Sequence, residues 1–292
     1  MEPSIRAVIA LQPDFDLQSV DLVGCGSTLG NLLRFASSSP KPFRFDVDVV
    51  GDTIIFVRRE SSPTELIEDV RGYGHTFPES YTTWGPNVRR SVSHQRIIRY
   101  EFGGLQFLVR TETDGYIKDS GDSVSNSFAS QAPLEDYIGE MNVSSSSPSA
   151  MQGLEVKMQG QKVPQEQIFD IKTRAEHNEY NMDDILPRLW LNQTLKFLLA
   201  YHSRGLFNQP KVKDVRQLVL DWQKDKSGLL GRFHAVLRRI LDVVRDSNEQ
   251  QLEVSWDGEG PLLITQHVGE ARRAFPSDLR GLWENAPDSK PS

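Results

Sequence analysis

Cysteine is nearly absent from the 292-residue sequence, in which Cys25 stands alone. One thiol excludes an internal disulfide framework and any zinc or iron–sulfur centre built on several cysteines. It also fits a reducing compartment. A basic excess is missing too. Lys and Arg number 33 against 40 Asp and Glu, a net charge of −7, so no global positive field draws the chain to nucleic acid. Contact with nucleic acid must then come from a local patch or a metal-filled site. No run approaches the roughly 18 apolar residues of a membrane span. The apolar stretch Ala7 to Leu11 is too short for a signal-peptide core. We therefore expect a protein of the nucleus or cytoplasm, with no membrane partner.

What is present reads as one large α+β domain, 1–292, with a mixed β-sheet core flanked by helices. The first 60 residues read as short strands and turns. Two β-rich runs, 44–50 and 53–59, flank Gly51-Asp52, a two-residue hairpin signal. A second hairpin joins 94–101 to 105–116 through Phe102-Gly103-Gly104. Residues 61–69 suggest a short helix, and 71–85 look irregular. Residues 119–152 are Ser-rich, with five acidic residues and no Lys or Arg, and suggest a flexible insertion. Strands are expected again at 154–158 and 167–173. Helices are expected at 183–203, 213–222 and 229–246. In the third of these, Leu230, Phe233, Leu237, Ile240, Leu241 and Val244 keep helical spacing. Its other face carries Arg232, Arg238, Arg239 and Arg245, a solvated face or, alternatively, a surface for RNA phosphates. A closing hairpin, 251–256 with 261–266, precedes a tail at 276–292.

Two strands carry the chemistry. Side chains alternate along a strand, so Glu112 and Asp114 share a side with Arg110, and Asp170 shares one with Lys172. If the strands are neighbours, three carboxylates and a lysine converge. Such oxygens suit Mg²⁺ or Mn²⁺, and an adjacent ammonium can position water or stabilise charge on a phosphate. Alternating charges also make an ordinary solvated strand face, and spacing alone does not choose. Other motifs are weaker. Cys25, in VGCGSTLG, lacks the lysine of a phosphate loop and reads as a turn, and Asp183 reads as a helix N-cap.

The order of short motifs is similar to that of the decapping exoribonuclease (DXO) family within the PD-(D/E)XK nucleases. Gly74-His75-Thr76-Phe77, Glu112-Thr113-Asp114-Gly115, Asp170-Ile171-Lys172-Thr173 and Trp190-Leu191-Asn192-Gln193 fall in the family's sequence, and SWDGEGPLLITQH resembles its last hairpin. The resemblance implies a metal-dependent hydrolase acting on the 5′ ends of RNA, with incompletely formed caps or 5′ phosphates as substrates. It implies Glu112, Asp114 and Asp170 as metal ligands, with Lys172 orienting or activating water. Gln193, Arg110 and His75 would contact substrate, Gln193 as an amide on the buried stripe of the 183–203 helix. Two positions depart from the pattern. Pro78 stands where the family has a metal-binding Glu, leaving Glu79 as the candidate fourth ligand, and Asp170 replaces the usual Glu. These departures open a second reading, a catalytically weakened relative that binds RNA or protein.

Overall fold

The structure is a computed structural model that describes residues 1–59, 72–89, 91–118, 154–247, 251–267 and 272–284. The expected helix at 61–69 and the expected insertion at 119–152 lie outside the described residues. Helices α1 (Glu2–Leu11), α2 (Gly26–Ala36), α3 (Thr76–Tyr81), α4 (Leu186–Leu191), α5 (Arg216–Asp225), α6 (Ser227–Asp246) and α7 (Ser277–Glu284) flank two sheets. The strands are β1 (Leu22–Cys25), β2 (Phe43–Val50), β3 (Thr53–Arg58), β4 (Gln95–Phe102), β5 (Leu105–Glu112), β6 (Gly115–Tyr116), β7 (Ile168–Ala175), β8 (Lys196–Ser203), β9 (Leu206–Phe207), β10 (Lys213–Asp214), β11 (Gln251–Trp256) and β12 (Leu263–Gln266). The larger sheet runs β12-β11-β2-β3-β1-β5-β4, and the smaller runs β10-β8-β7-β6 with β9 beside β8. Pairing is mixed: β1 is parallel to β3 and β5, and β7 to β8, while the hairpins are antiparallel.

Alternation along each strand sorts side chains between two cores. On one face of the larger sheet, Phe45, Val47, Phe107 and Val109 pack under α2, α4, α5 and α6. The apolar stripe expected on α6 is buried there residue for residue. On the other face, Val57 and Leu108 meet Ile5 of α1 and Leu279 and Trp283 of α7. A third cluster joins Phe77 of α3 to Phe169, Ile171, Leu198 and Ala200 of the smaller sheet. Among the described residues no helix is long and apolar enough to cross a membrane.

Both hairpin turns form where glycine allows a positive φ, at Gly51 (58°) and at Gly103 and Gly104 (60° and 75°). A side chain at Gly103 would also run into the His234 ring. The α6 arginines lie on a solvated face, and three of them also bond to protein. Arg232 Nε donates to the Ala36 carbonyl (3.0 Å), Arg238 Nη2 to the Gly103 carbonyl (3.3 Å), and Arg245 Nη2 to Asp21 (3.2 Å).

Several elements differ from the sequence reading. The first 60 residues contain two helices, and VGCGSTLG is the exit of β1 into α2 rather than a turn. The expected helix at 183–203 is a six-residue helix followed by strand β8. Gln193 takes the left-handed conformation (φ 51°) that closes the helix, and the following apolar run pairs in parallel with β7. Residues 76–81, read as irregular, form α3. Residues 154–158 form no strand and stand exposed, and the helix expected from 213 starts at Arg216. Part of the expected tail is α7, which Leu279 and Trp283 anchor in the core.

Candidate metal-dependent active site

One extended run serves both sheets. β5 ends at Glu112 in the larger sheet, the chain pivots through Thr113 and Asp114, and β6 joins the smaller sheet antiparallel to β7. Thr113 is buried and its N–H donates to the His94 carbonyl (2.9 Å). Gly115 is required next because a Cβ there would come within 2.5 Å of the Phe169 ring. The pivot delivers the Asp114 side chain to the β7 backbone, where its Oδ2 accepts from the Ile171 N–H (2.7 Å).

Asp170 lies in the same place from the other strand. It is 4% exposed. Its Oδ2 pairs with Arg188 Nε of α4 at 3.0 Å, and the Asp114 carboxylate is a close enough neighbour to disfavour its charge. Burial pushes the Asp170 carboxyl up to about 8; Asp114 adds to the shift and the Arg188 guanidinium opposes it. Asp170 Oδ1 is buried without a hydrogen-bond partner among the described residues. An unpartnered buried oxygen is costly. A proton relieves the repulsion with Asp114 when no ion is bound, and a hard divalent cation would replace it and satisfy both carboxylates, so the donors present fit Mg²⁺ or Mn²⁺.

The other expected site residues are placed as follows. Lys172 is exposed two residues beyond Asp170, on the same face of β7. Glu112 is exposed at the last position of β5, opposite Gln95. Arg110 is half-buried and pairs in register with Cys25. His75 is exposed at the start of α3, and Glu79 is exposed on that helix. The anchor of α3, Phe77, packs on Phe169 and Ile171, the β7 face opposite Asp170 and Lys172. Gln193 is not the buried amide expected: it is exposed, and its Nε2 donates to the Trp190 carbonyl. The buried amide there is Asn192, whose Oδ1 lies so close to Gly26 that no side chain fits at that glycine.

Sequence reasoning missed Arg188. It is the only charged residue of the segment Leu186–Gln193, which was the available signal. Its meeting with Asp170 depends on α4 packing beside β7, which no local spacing encodes.

Residues 1–283 match the family described as a domain of unknown function (DUF8563). The chain belongs to this family. Comparison of this DUF8563 chain with curated proteins finds no significant match. Solved structures do match. Scheffersomyces stipitis Rai1 in complex with (3′-NADP)⁺ and calcium ion aligns over 96% of this chain and 77% of its own, at 12% identity and TM-score 0.60. Candida albicans Rai1 in complex with pU5 and Mn²⁺ aligns over 96% and 74%, at 10% identity and TM-score 0.56. K. lactis Dxo1 in complex with manganese aligns over 93% and 72%, at 11% identity and TM-score 0.51. The DUF8563 chain therefore has the α+β fold of the Rai1 and Dxo1 structures, which is the fold expected from its motifs.

Proposed function

We propose that this protein is a metal-dependent hydrolase of RNA 5′ ends, a decapping hydrolase and 5′-3′ exoribonuclease for incompletely capped or 5′-phosphorylated RNA. The observation that carries the reading is the buried Asp170, with an unpartnered oxygen beside Asp114. The fold adds support, since similar structures hold manganese and pU5. Asp114 and Asp170 would hold Mg²⁺ or Mn²⁺; Glu112, exposed at the end of β5, does not join them in a three-ligand cluster among the described residues. The ion would supply charge stabilisation to the phosphate and make water a better nucleophile.

The chain's own groups do the rest. The Ile171 N–H and the Arg188 guanidinium fix the two carboxylates, one oxygen each. Lys172, exposed beside Asp170, orients the attacking water or meets charge that develops on the phosphate. Glu79, on a helix anchored on the opposite face, takes no part, so the site rests on the Asp114–Asp170 pair. The working compartment would be the nucleus or cytoplasm.

The test is hydrolysis of 5′-labelled RNAs carrying a triphosphate, a monophosphate or an unmethylated cap, with Mg²⁺, with Mn²⁺ and with EDTA. Turnover that needs the metal and disappears in Asp114→Asn supports the reading. The second reading, an RNA- or protein-binding relative without turnover, is favoured by the Arg188–Asp170 ion pair, which already balances one carboxylate, and by Pro78. RNA binding with no metal-dependent product on any 5′ end would select it.

A further inference from the structure

On the α1/α7 face of the larger sheet, β2 presents two buried acids two residues apart, Asp46 and Asp48. Asp48 is fully matched: Arg280 Nη1 donates to both oxygens (3.0 and 2.8 Å), and the Ala274 N–H donates to Oδ2 (2.8 Å). Asp46 is not. Although it is only 3% exposed, its Oδ1 has no hydrogen-bond partner among the described residues. The two nearby cationic-type atoms, Arg59 Nη1 and His267 Nε2, both stand off at 3.6 Å. The His267 side chain is itself 7% exposed, and its Nδ1 is also unpartnered. Glu253 of β11 lies directly across from Asp46 in the β2–β11 register. Ligand atoms of Asp46, Glu253 and His267 all lie within 4.8 Å of one another.

We propose that Asp46, Glu253 and His267 form a second divalent-cation site, of the Zn²⁺ class, which pins the β11–β12 hairpin to β2. Two carboxylates directly opposed across strands repel, and burying Asp46 with an unpartnered oxygen is unfavourable, although Glu253 pairs with Arg59. A cation between them removes both costs and gives the orphan oxygen a partner. Zinc bonds of about 2.1 Å in a tetrahedron place neighbouring ligand atoms about 3.4 Å apart. The observed 3.6 Å between Asp46 Oδ1 and His267 Nε2 is close to that edge. One imidazole with two carboxylates suits Zn²⁺ better than Mg²⁺, whereas the oxygen-only Asp114–Asp170 pair suits the harder ions.

The two sites are also separate in space. Strand β2 lies three strand spacings from β5, about 14 Å at ~4.8 Å each. Arg59 is the resident competitor, since it pairs with Glu253 and faces Asp46. Its side chain is 31% exposed, so it can swing into solvent as the ion enters. His267 follows directly on β12, and its N–H bonds to the Gln251 carbonyl, so the ligands come from three neighbouring strands. Metal would therefore act on the fold of this hairpin, independently of turnover at the first site.

The test is zinc titration by calorimetry on the full chain stripped with EDTA, with cobalt spectra as a second readout. We expect one zinc per chain, retained in an Asp114→Asn/Asp170→Asn variant, and a Co²⁺ complex with the strong visible bands of tetrahedral coordination. His267→Gln should weaken zinc binding by 100-fold or more. Arg59→Gln, which keeps every ligand, should tighten it by about 10-fold. Absence of stoichiometric zinc binding in both the unaltered chain and Arg59→Gln overturns the proposal. So does binding that Asp114→Asn removes or His267→Gln leaves unchanged. Weaker binding in Arg59→Gln overturns it as well, because the cluster is then an ion-pair network completed by arginine.

Discussion

Replacing Asp170 with Asn separates a carboxylate that the fold tolerates from one that the fold strains. The carboxyl has a pKa of 3.8 in the ordinary chain and about 8 in the folded protein, with burial the main cause. A raised acid pKa means that the folded state keeps a proton which the unfolded chain releases between those values. Stability then falls as pH rises through that window, and the cost is complete above the folded pKa. About four units at roughly 1.4 kcal/mol each cap the cost at about 6 kcal/mol. Relaxation around the buried group brings the expectation to about 2–3 kcal/mol. Unfolding entropy near 2.1 cal/mol/K per residue turns that into a Tm change of about 4 °C for a chain of this length. Asn resembles the protonated acid in shape and charge. Asp170→Asn should therefore gain on the wild type as pH rises, by a smaller margin at pH 5 and by about 4 °C at pH 8.5, measured by calorimetry in EDTA. Adding Mg²⁺ at pH 8.5 should raise the wild type and leave the variant unmoved. A variant that is less stable by the same amount at both pH values would refute the reasoning. Arg188 would then hold Asp170 as a contented anion, and the pair would need no ion.

Two further outcomes follow from the same geometry. Lys172→Ala should lower turnover on 5′-phosphorylated RNA by 10²-fold or more with little change in RNA Kd, whereas Glu79→Ala should leave the rate within about twofold; single-turnover assays and anisotropy titrations measure both. Gly115→Ala drives a methyl against the Phe169 ring and should cost about 1–3 kcal/mol in urea unfolding, with metal affinity lost because the pivot that carries Asp114 shifts.

The legible parts of this fold are those in which a local pattern has one meaning. Glycines at positions 51, 103 and 104 mark turns that need positive φ, and the α6 stripe has the length to distinguish a helix from a strand. Strand β8 defeated the same method. Leu186, Trp190, Phe197 and Tyr201 happen to keep helical spacing, but Phe197–Ala200 is a mostly buried run beside a parallel neighbour, which carries no alternation to read. Helices α1 and α2 are short, and α2 holds two glycines, so neither stood out. At the site, spacing of two made Asp114 and Asp170 visible as candidates; Asp170 and Lys172 do sit within one strand, whereas Glu112 ends β5 and Asp114 lies in the pivot beyond it. Arg188 meets Asp170 only through packing of α4. Asp46 lies more than 200 residues from Glu253 and His267 in sequence, and only the sheet brings them together.

The shared strand from Leu105 to Tyr116 makes this stretch intolerant of any change in length. Its first part is held in register by β4 and β1, and its last two residues by β7. One residue added or removed between Glu112 and Gly115 cannot be absorbed by slippage at either end, since a slip of one turns every side chain to the opposite face. Asp114 would then leave the Ile171 N–H, and Asp170 would lose its neighbour. Drift among related chains should accordingly exchange side chains along this span while keeping its residue count fixed.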